Sequence, residues 1–315
     1  MNYVSLGKTG LEVSRMCFGG LIIGPLQANL SVEEGAAVIV HALEMGVNFI
    51  DTAELYGTYP HIREAIRRSG RKPVIASKSY AYTAQMAMES LEKARKEMDL
   101  DIIDVFMLHE QESRLTLEGH REAKEYFLEA KEKGIIKAFG VSTHNIEVVE
   151  ACSEMPEVDV IHPIINKAGI GIGDGTIDQM LHAVKAAYEK GKGIYSMKPL
   201  GGGNLLSSYD ECMQYVLDIP YIHSTAVGMQ SVEEVIMNVS IFNGEEVPRE
   251  IRKALQEKQR RLHIDYWCEG CGKCLKRCGQ GALSLSEGKA MVDKGKCVLC
   301  GYCGSVCPMF AIKIC

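Results

Sequence analysis

Eight of the twelve cysteines in this chain lie in two short stretches, CEGCGKCLKRC at 268–278 and CVLCGYCGSVC at 297–307. Both read C-x2-C-x2-C-x3-C, and every cysteine of the second follows its counterpart in the first by 29 residues. Spacing repeated this strictly marks one structural unit used twice. Thiols at such density either pair as disulfides or hold metal. The opening MNYVSLGKTGLEVSR has no charged-then-apolar run of the export type, so metal is the expected use. Zinc takes two ligands from each of two C-x2-C hooks, which leaves a third cysteine at the same spacing surplus. An iron–sulfur cubane needs it: three thiolates come from one wrapped turn, and a fourth lies further along and serves the other cluster.

A second reactive set is spread over the first part of the chain: Asp51 and Tyr56 in DTAELYG, Lys78 in SK, and His109 in LHE. An ammonium beside a phenol favours the phenolate, so Lys78 is expected to bring Tyr56 down from about 10 toward neutrality. Asp51 would hold Lys78 charged and in place. His109 would orient a substrate oxygen, and Tyr56 would give a proton to a carbonyl as it becomes an alcohol.

Such a set works only if the chain brings it together. Short β-rich runs alternate with helical patterns, and the expected strands are 15–20, 48–53, 73–78, 103–109, 138–143, 160–166, 193–199 and 224–229. Helices are expected between them, as at 32–46 and at 83–98, where apolar residues recur at helical spacing. Eight strand–helix repeats imply an α/β fold, a closed (β/α)8 TIM-type barrel with its chemistry at the C-terminal strand ends. An open doubly wound sheet would want a G-x-G-x-x-G turn after its first strand. FGGLIIG (18–24) does not fit, and GIGIGDG (169–175) follows the sixth strand and reads as a flexible loop.

On these residues about 1–245 of the chain resembles the aldo-keto reductase family. The likeness begins with YVSLGKTGLEVSRMCFG (3–19), which in the family is a hairpin closing the barrel bottom, and continues through DTAELYG, SK and LH. It implies a catalytic tetrad of Asp51, Tyr56, Lys78 and His109, and hydride transfer between NAD(P)H and an aldehyde or ketone. It also implies nicotinamide contacts at Ser142 and Asn166, with His162 where the family usually has glutamine and Thr143 where it has asparagine. MKPLGGGN (197–204) matches the family's pyrophosphate loop, so Met197, Lys198, Gly201 and Gly202 become cofactor contacts. The backbone N–H groups of Gly201 to Gly203 suit such an anion. GMQSVEEVIMN (228–238) matches the adenosine segment, ending in Asn238, with Glu234 in place of the family's 2′-phosphate arginine and Met237 in place of its adenine-contact glutamate. An acidic residue there repels phosphate, so NADH is expected over NADPH. No flavin motif is evident, although barrels bind flavin without one.

The tail resembles a bacterial two-[4Fe–4S] ferredoxin. That resemblance implies a small α+β ferredoxin-like domain with one cluster on Cys268, Cys271, Cys274 and Cys307 and the other on Cys297, Cys300, Cys303 and Cys278. Pro308 follows Cys307 as that pattern expects, whereas Gly279 follows Cys278, so the turn leaving the first repeat is expected to differ. The expected domains are a barrel at 1–247, a charged helical linker at 248–265 and the iron–sulfur domain at 266–315. The linker falls where many family members carry a substrate-binding loop, which would put the tail near the barrel mouth. Cys17, Cys152, Cys212 and Cys315 stand apart and are expected as small buried hydrophobes.

The expected function is an iron–sulfur oxidoreductase of aldo-keto reductase type. It would interconvert a carbonyl and an alcohol and couple to one-electron carriers of ferredoxin or flavodoxin type. Two other readings fit the sequence: an electron-transfer protein with the barrel as docking scaffold, and a plain NAD(P)H reductase with structural or redox-sensing clusters. The net charge of −6 leaves no footprint for nucleic acid, and no apolar run reaches the roughly 18 residues of a membrane span. Residues 266–315 hold seven Lys or Arg against three Asp or Glu, a local excess that would offset anionic clusters. Exposed clusters degrade in oxygen, so an anaerobic or microaerobic cytoplasm is the expected setting.

Overall fold

The computed structural model describes residues 1–314; Cys315 lies outside the described residues. Two short strands, β1 (Tyr3–Ser5) and β2 (Glu12–Ser14), form an antiparallel hairpin. Eight strands then close into a parallel barrel: β3 (Met16–Gly19), β4 (Phe49–Asp51), β5 (Val74–Ser79), β6 (Ile103–Gln111), β7 (Ile136–Thr143), β8 (Val160–Pro163), β9 (Gly193–Met197) and β10 (Ser224–Gly228), with β10 returning to pair with β3. All eight expected strands are present. The sixth expected strand stops at Pro163 rather than 166, because beyond it only a single bridge, Ile164 to Met197, continues the pairing. The helices at Val32–Glu44 and Ala84–Met98 lie where the periodicity puts them, each entered through a capping hydroxyl, Ser31 and Thr83.

Side chains alternate across a strand, and this alternation builds the site. One buried cluster fills the lower barrel: Cys17, Phe49, Ala76, Val105, Met107, Ala138, Val160, Tyr195 and Ala226, closed from below by Leu6, Leu11 and Val13 of the hairpin. Two residues on from these inward positions stand Gly19, Asp51, Lys78, His109, His162, Met197 and Gly228. They form the next layer up, at the C-terminal mouth. The outward-facing strand residues, such as Phe18, Ile50, Phe106 and Phe139, pack under the helical ring.

The tail has its own small core of Leu262, Cys274, Ala290, Cys303, Ile312 and Ile314. Strand β11 (Leu262–Ile264) pairs antiparallel with β14 (Ile312–Ile314), and β12 (Leu283–Ser286) with β13 (Lys289–Val292). The linker helix spans only Arg249–Glu257. The tail's sheet therefore starts at Leu262, ahead of the boundary expected at 266, because Leu262 is needed to complete the tail core.

The tail docks on the barrel mouth through the glycine-rich loop after β9. Ile314 N–H donates to Gly202 O at 3.0 Å, and Asn204 Nδ2 donates to Ile312 O at 3.1 Å. The approach requires glycine: a Cβ on Gly203, which has φ +83°, would sit 2.0 Å from Ile314 O. No helix among the described residues is long and apolar enough to cross a membrane.

Candidate active site and metal centres

Lys78 comes from β5 and Asp51 from the end of β4, and both are buried. The ammonium lies 2.8 and 2.9 Å from the two Asp51 oxygens and donates to Thr52 O at 2.7 Å. Burial alone would raise the Asp51 carboxyl, but Lys78, then His162, and the hydrogen bonds from Lys78 and Tyr195 outweigh it and hold it below its ordinary value. Tyr195 was missed in the sequence reading. Its hydroxyl donates to Asp51 Oδ1 at 2.8 Å, and its ring stacks on His162 at 3.8 Å.

Tyr56 sits on the turn after β4. Its hydroxyl is 3.5 Å from His109 Nε2, and the Lys78 ammonium is 4.9 Å from its ring centroid. The four tetrad residues are thus brought together. The expected acidification of Tyr56 is not found: burial, then the Asp51 and Glu110 carboxylates, push the phenol well above its ordinary value. Asp51 is in direct contact with the ammonium and offsets its pull on the phenol. Tyr56 is therefore a protonated donor at rest. Burial lowers His109 to about 3, so its imidazole is neutral at physiological pH.

Two charged residues beside the tetrad adopt backbone that L side chains rarely take, Glu110 at φ +45° and Lys198 at φ +59°. Strain of this kind gathers at functional sites. Lys198 Nζ donates to His144 Nε2 at 2.7 Å and lies 3.7 Å from Glu110. Burial lowers this lysine to about 8, and Glu110 limits the fall. Tyr80 stacks on His109 at 4.4 Å and its hydroxyl donates to Glu110.

Two cavities open from the tetrad. One is a groove of about 150 Å³ running from Asp51 and Tyr56 past His162, Met197 and Gly202 to Glu234, Met237 and Arg260. Gly19 and Gly228, at the ends of β3 and β10, form part of its wall. The other, about 580 Å³, is floored by Tyr56, Tyr80 and His109 and roofed by Trp267, Met309 and Phe310 of the tail.

The remaining expected cofactor residues divide. His162, Met197, Lys198 and Gly202 line the groove, and Gly201 belongs to the same loop, its N–H donating to Lys198 O. Ser142 is fully buried, accepting from Glu110 N–H at 2.8 Å. Both ends of the Asn166 amide are taken by the backbone of Ile170, at 2.9 Å each. Asn238 accepts from Tyr209 and donates to Glu234 O, both at 2.7 Å.

In the tail, Cys268, Cys271, Cys274 and Cys307 line one cage, and Cys278, Cys297, Cys300 and Cys303 line the other. Each cage takes three cysteines from one repeat and one from the other, as the spacing implied. Backbone N–H groups of Ala290, Ala282 and Ala311 point at the sulfurs of Cys268, Cys278 and Cys307 at 3.5, 3.4 and 3.3 Å. This is the donor set that anionic cluster thiolates call for. Among the described residues no three His, Cys, Asp or Glu converge on a single-ion site.

A model of the aldo/keto reductase family matches residues 15–218. The chain belongs to this family. A second model, the 4Fe-4S dicluster domain, matches 267–311. L-galactose dehydrogenase of Arabidopsis thaliana is 22% identical over 280 residues, covering 75% of this chain and 86% of that protein. An aldo-keto reductase of Mycolicibacterium paratuberculosis is 30% identical over 196 residues, 59% of this chain and 63% of its own length. The holo form of an aldo-keto reductase from Bacillus halodurans matches in fold with TM-score 0.66 at 19% identity, covering 82% of this chain and 96% of that one. The protein is thus an aldo/keto reductase-type oxidoreductase that carries a 4Fe–4S dicluster domain.

Proposed function

We propose that this aldo/keto reductase interconverts a carbonyl and an alcohol at Tyr56, with a nicotinamide cofactor in the narrow groove, and that its two clusters couple the site to one-electron carriers. The observation that carries this reading is one shared wall. Met309 lines both the cavity that holds Tyr56 and His109 and the cage of Cys268, Cys271, Cys274 and Cys307. In the second cage Cys300 is exposed.

The residues divide the chemistry. Neutral His109 and the Tyr56 hydroxyl converge on one point in the large cavity, where a carbonyl oxygen would accept from both. Tyr56 gives its proton to that oxygen as the carbon is reduced, and Lys78, held by Asp51, steadies the phenolate left behind. A nicotinamide bound in the groove would supply the hydride, and in the reverse direction take it. The tail roof of Trp267, Met309 and Phe310 keeps bulk water from the reacting carbon. Two one-electron clusters match in number the electron pair of the carbonyl/alcohol couple. Cluster lability supports an oxygen-poor cytoplasm as the setting.

A second reading, a plain reductase with structural clusters, is favoured by the hydrogen bonds from the tail to the glycine-rich loop. Two variants separate them, assayed anaerobically on a panel of aldehydes and ketones. Tyr56→Phe should lower turnover about 10²- to 10⁴-fold with iron and sulfide content unchanged. Cys300→Ala, folded and keeping the cluster next to the cavity, should lose turnover driven by a one-electron donor. If donor-driven turnover persists at the wild-type rate, the clusters are structural.

A further inference from the structure

The two halves of the tail repeat in structure as well as in spacing. In the first half Ala282 N–H points at Cys278 Sγ, and Gly281 N–H donates to Cys278 O at 3.2 Å. In the second half Ala311 N–H points at Cys307 Sγ, and Phe310 N–H donates to Cys307 O at 3.2 Å. Each turn wraps a cysteine sulfur, and each has left-handed backbone three residues after the cysteine: Gly281 at φ +59° and Phe310 at φ +47°. Glycine takes that conformation freely, whereas a bulky aromatic residue there is an outlier. A Cβ on Gly281 would meet nothing within 4 Å. Phe310, by contrast, is 5% exposed. One turn is built twice, and the copy that meets the barrel carries a large side chain at its crest.

The barrel receives that ring in a socket whose walls include two glycines. A Cβ on Gly171 would lie 2.7 Å from Phe310 Cδ2, and one on Gly202 would lie 3.0 Å from its Cζ. Gly171 belongs to GIGIGDG (169–175), the glycine cluster that follows β8. His144 meets the ring edge-on, with centroids 5.7 Å apart. Two ammonium groups lie over the ring, Lys198 Nζ at 4.6 Å and Lys313 Nζ at 5.0 Å from its centroid. Lys313 is matched by Asp265 of the tail. Lys198 has only the neutral His144 at hydrogen-bond distance, with Glu110 at 3.7 Å. Phe310 and Lys198 both line the groove and the large cavity, so the ring is part of both walls.

We propose that Phe310 is a positioning residue, the arm by which the Cys307 turn reaches into the barrel mouth and holds Lys198 and His144, shielded from water, at the edge of the catalytic cavity. The turn itself does not need the ring, since its twin is built with Gly281. Burial is the chief cause that brings Lys198 to about 8; Lys313 and Lys78 add to the fall, and Glu110 and Asp265 oppose it. The ring covers the ammonium on its tail side. Without it, water would reach Lys198 and screen it from Lys313, and both changes favour the charged form. The lost cation–π attraction acts the other way, and the hydration gained outweighs it. For the proposed carbonyl chemistry, on which this consequence alone rests, the ring decides how much positive charge Lys198 presents to a substrate above neutral pH. The turn around Cys307 and one wall of the proton-handling site are thereby a single piece of structure.

The test is competitive labelling of the full-length, cluster-loaded protein with trace acetic anhydride across pH, under anaerobic conditions. Read by mass spectrometry, it titrates each lysine amine without any turnover. Lys198 of the wild type should titrate near 8. Phe310→Gly, which restores the residue of the first half, should keep iron and sulfide content and raise Lys198 by about one unit or more, a ten-fold change in its charged fraction relative to neutral. Hydrogen exchange should rise in residues 169–175 and 198–204 of the same variant. Gly171→Ala, which crowds the ring from the barrel side, should move Lys198 the same way, and Phe310→Leu, which keeps the bulk, should move it less. Leu299→Gly is the control: it also removes a side chain from left-handed backbone, at φ +54°, but Leu299 lines neither of the two cavities and Lys198 should stay where it is. Two results overturn the inference: Lys198 titrating at the wild-type value in both Phe310→Gly and Gly171→Ala, or loss of the clusters in Phe310→Gly, which would make the ring a requirement of the turn. A protein in which Lys198 shifts as expected while no aldehyde or ketone is turned over would sink the proposed function and leave the positioning role standing.

Discussion

The floor and the roof of the catalytic cavity are built in different ways. The floor belongs to the barrel, and its ion pair is fixed by several buried partners: Lys78 by Asp51 and Thr52, and Asp51 by Lys78 and Tyr195. The roof belongs to the iron–sulfur domain. It is held to the barrel at the glycine-rich loop, by Gly202 to Ile314, Asn204 to Ile312 and a close backbone approach at Gly203, and by Phe310, which joins the barrel's core cluster and packs on His144 and Lys198. A rigid, self-contained floor fixes the geometry of proton transfer. The roof decides what shares the cavity with it.

This difference can be broken first at the floor. Asp51→Asn leaves the Lys78 ammonium buried without its counter-charge, and loss of one partner of a buried pair costs about 3–5 kcal/mol. Chemical denaturation should show a loss of that order, together with loss of turnover. The wild type should show a matching acid limb. The Asp51 carboxyl is held below its unfolded value, so its contribution is present above about pH 4 and is lost as pH falls through the folded value. Asp51→Asn should lack that limb. An unchanged acid limb would mean that the pair does not anchor the floor.

At the roof the expected effect is smaller and local. Gly203→Ala drives a Cβ into Ile314 O at a positive-φ position, a strain of about 1–3 kcal/mol. Hydrogen exchange should rise at Ile314 and at the amides of the loop, while the barrel strands and the cluster absorbance stay as they were. Global unfolding of the barrel would contradict the division. The smallest effect belongs to Lys198, which touches both cavities. Burial brings it to about 8, so it loses its charge as pH rises through that value. Activity should carry a shallow limb there that Lys198→Arg, charged throughout, moves to higher pH.

Much of the floor was legible because its signals are local. Strand alternation places Asp51, Lys78 and His109 in one layer, with Tyr56 on the turn that follows β4, and the resemblance to a two-cluster ferredoxin divides the eight cysteines into the two cages found. The protonation state of Tyr56 was not legible. Lys78 reads as an acidifying neighbour until the structure shows its charge met by Asp51 inside a buried layer. Tyr195 gave a weak signal, standing two residues before Met197 on the same inward face. Of the roof only its place was legible, since chain order put the tail near the barrel mouth. Trp267, Met309 and Phe310 belong to no motif that assigns them to the cavity, which they reach through the packing of the tail on the barrel.

The central claim, that floor and roof work on one set of electrons, is tested most directly by anaerobic EPR of the cluster-loaded protein. NADPH and NADH are added separately, and NADP⁺ or NAD⁺ is then added to dithionite-reduced protein freed of excess reductant, to allow for clusters near −400 mV or below. The account predicts a change in the cluster signal in at least one direction with at least one of the two nucleotides. Clusters that stay silent in both directions with both nucleotides would contradict it.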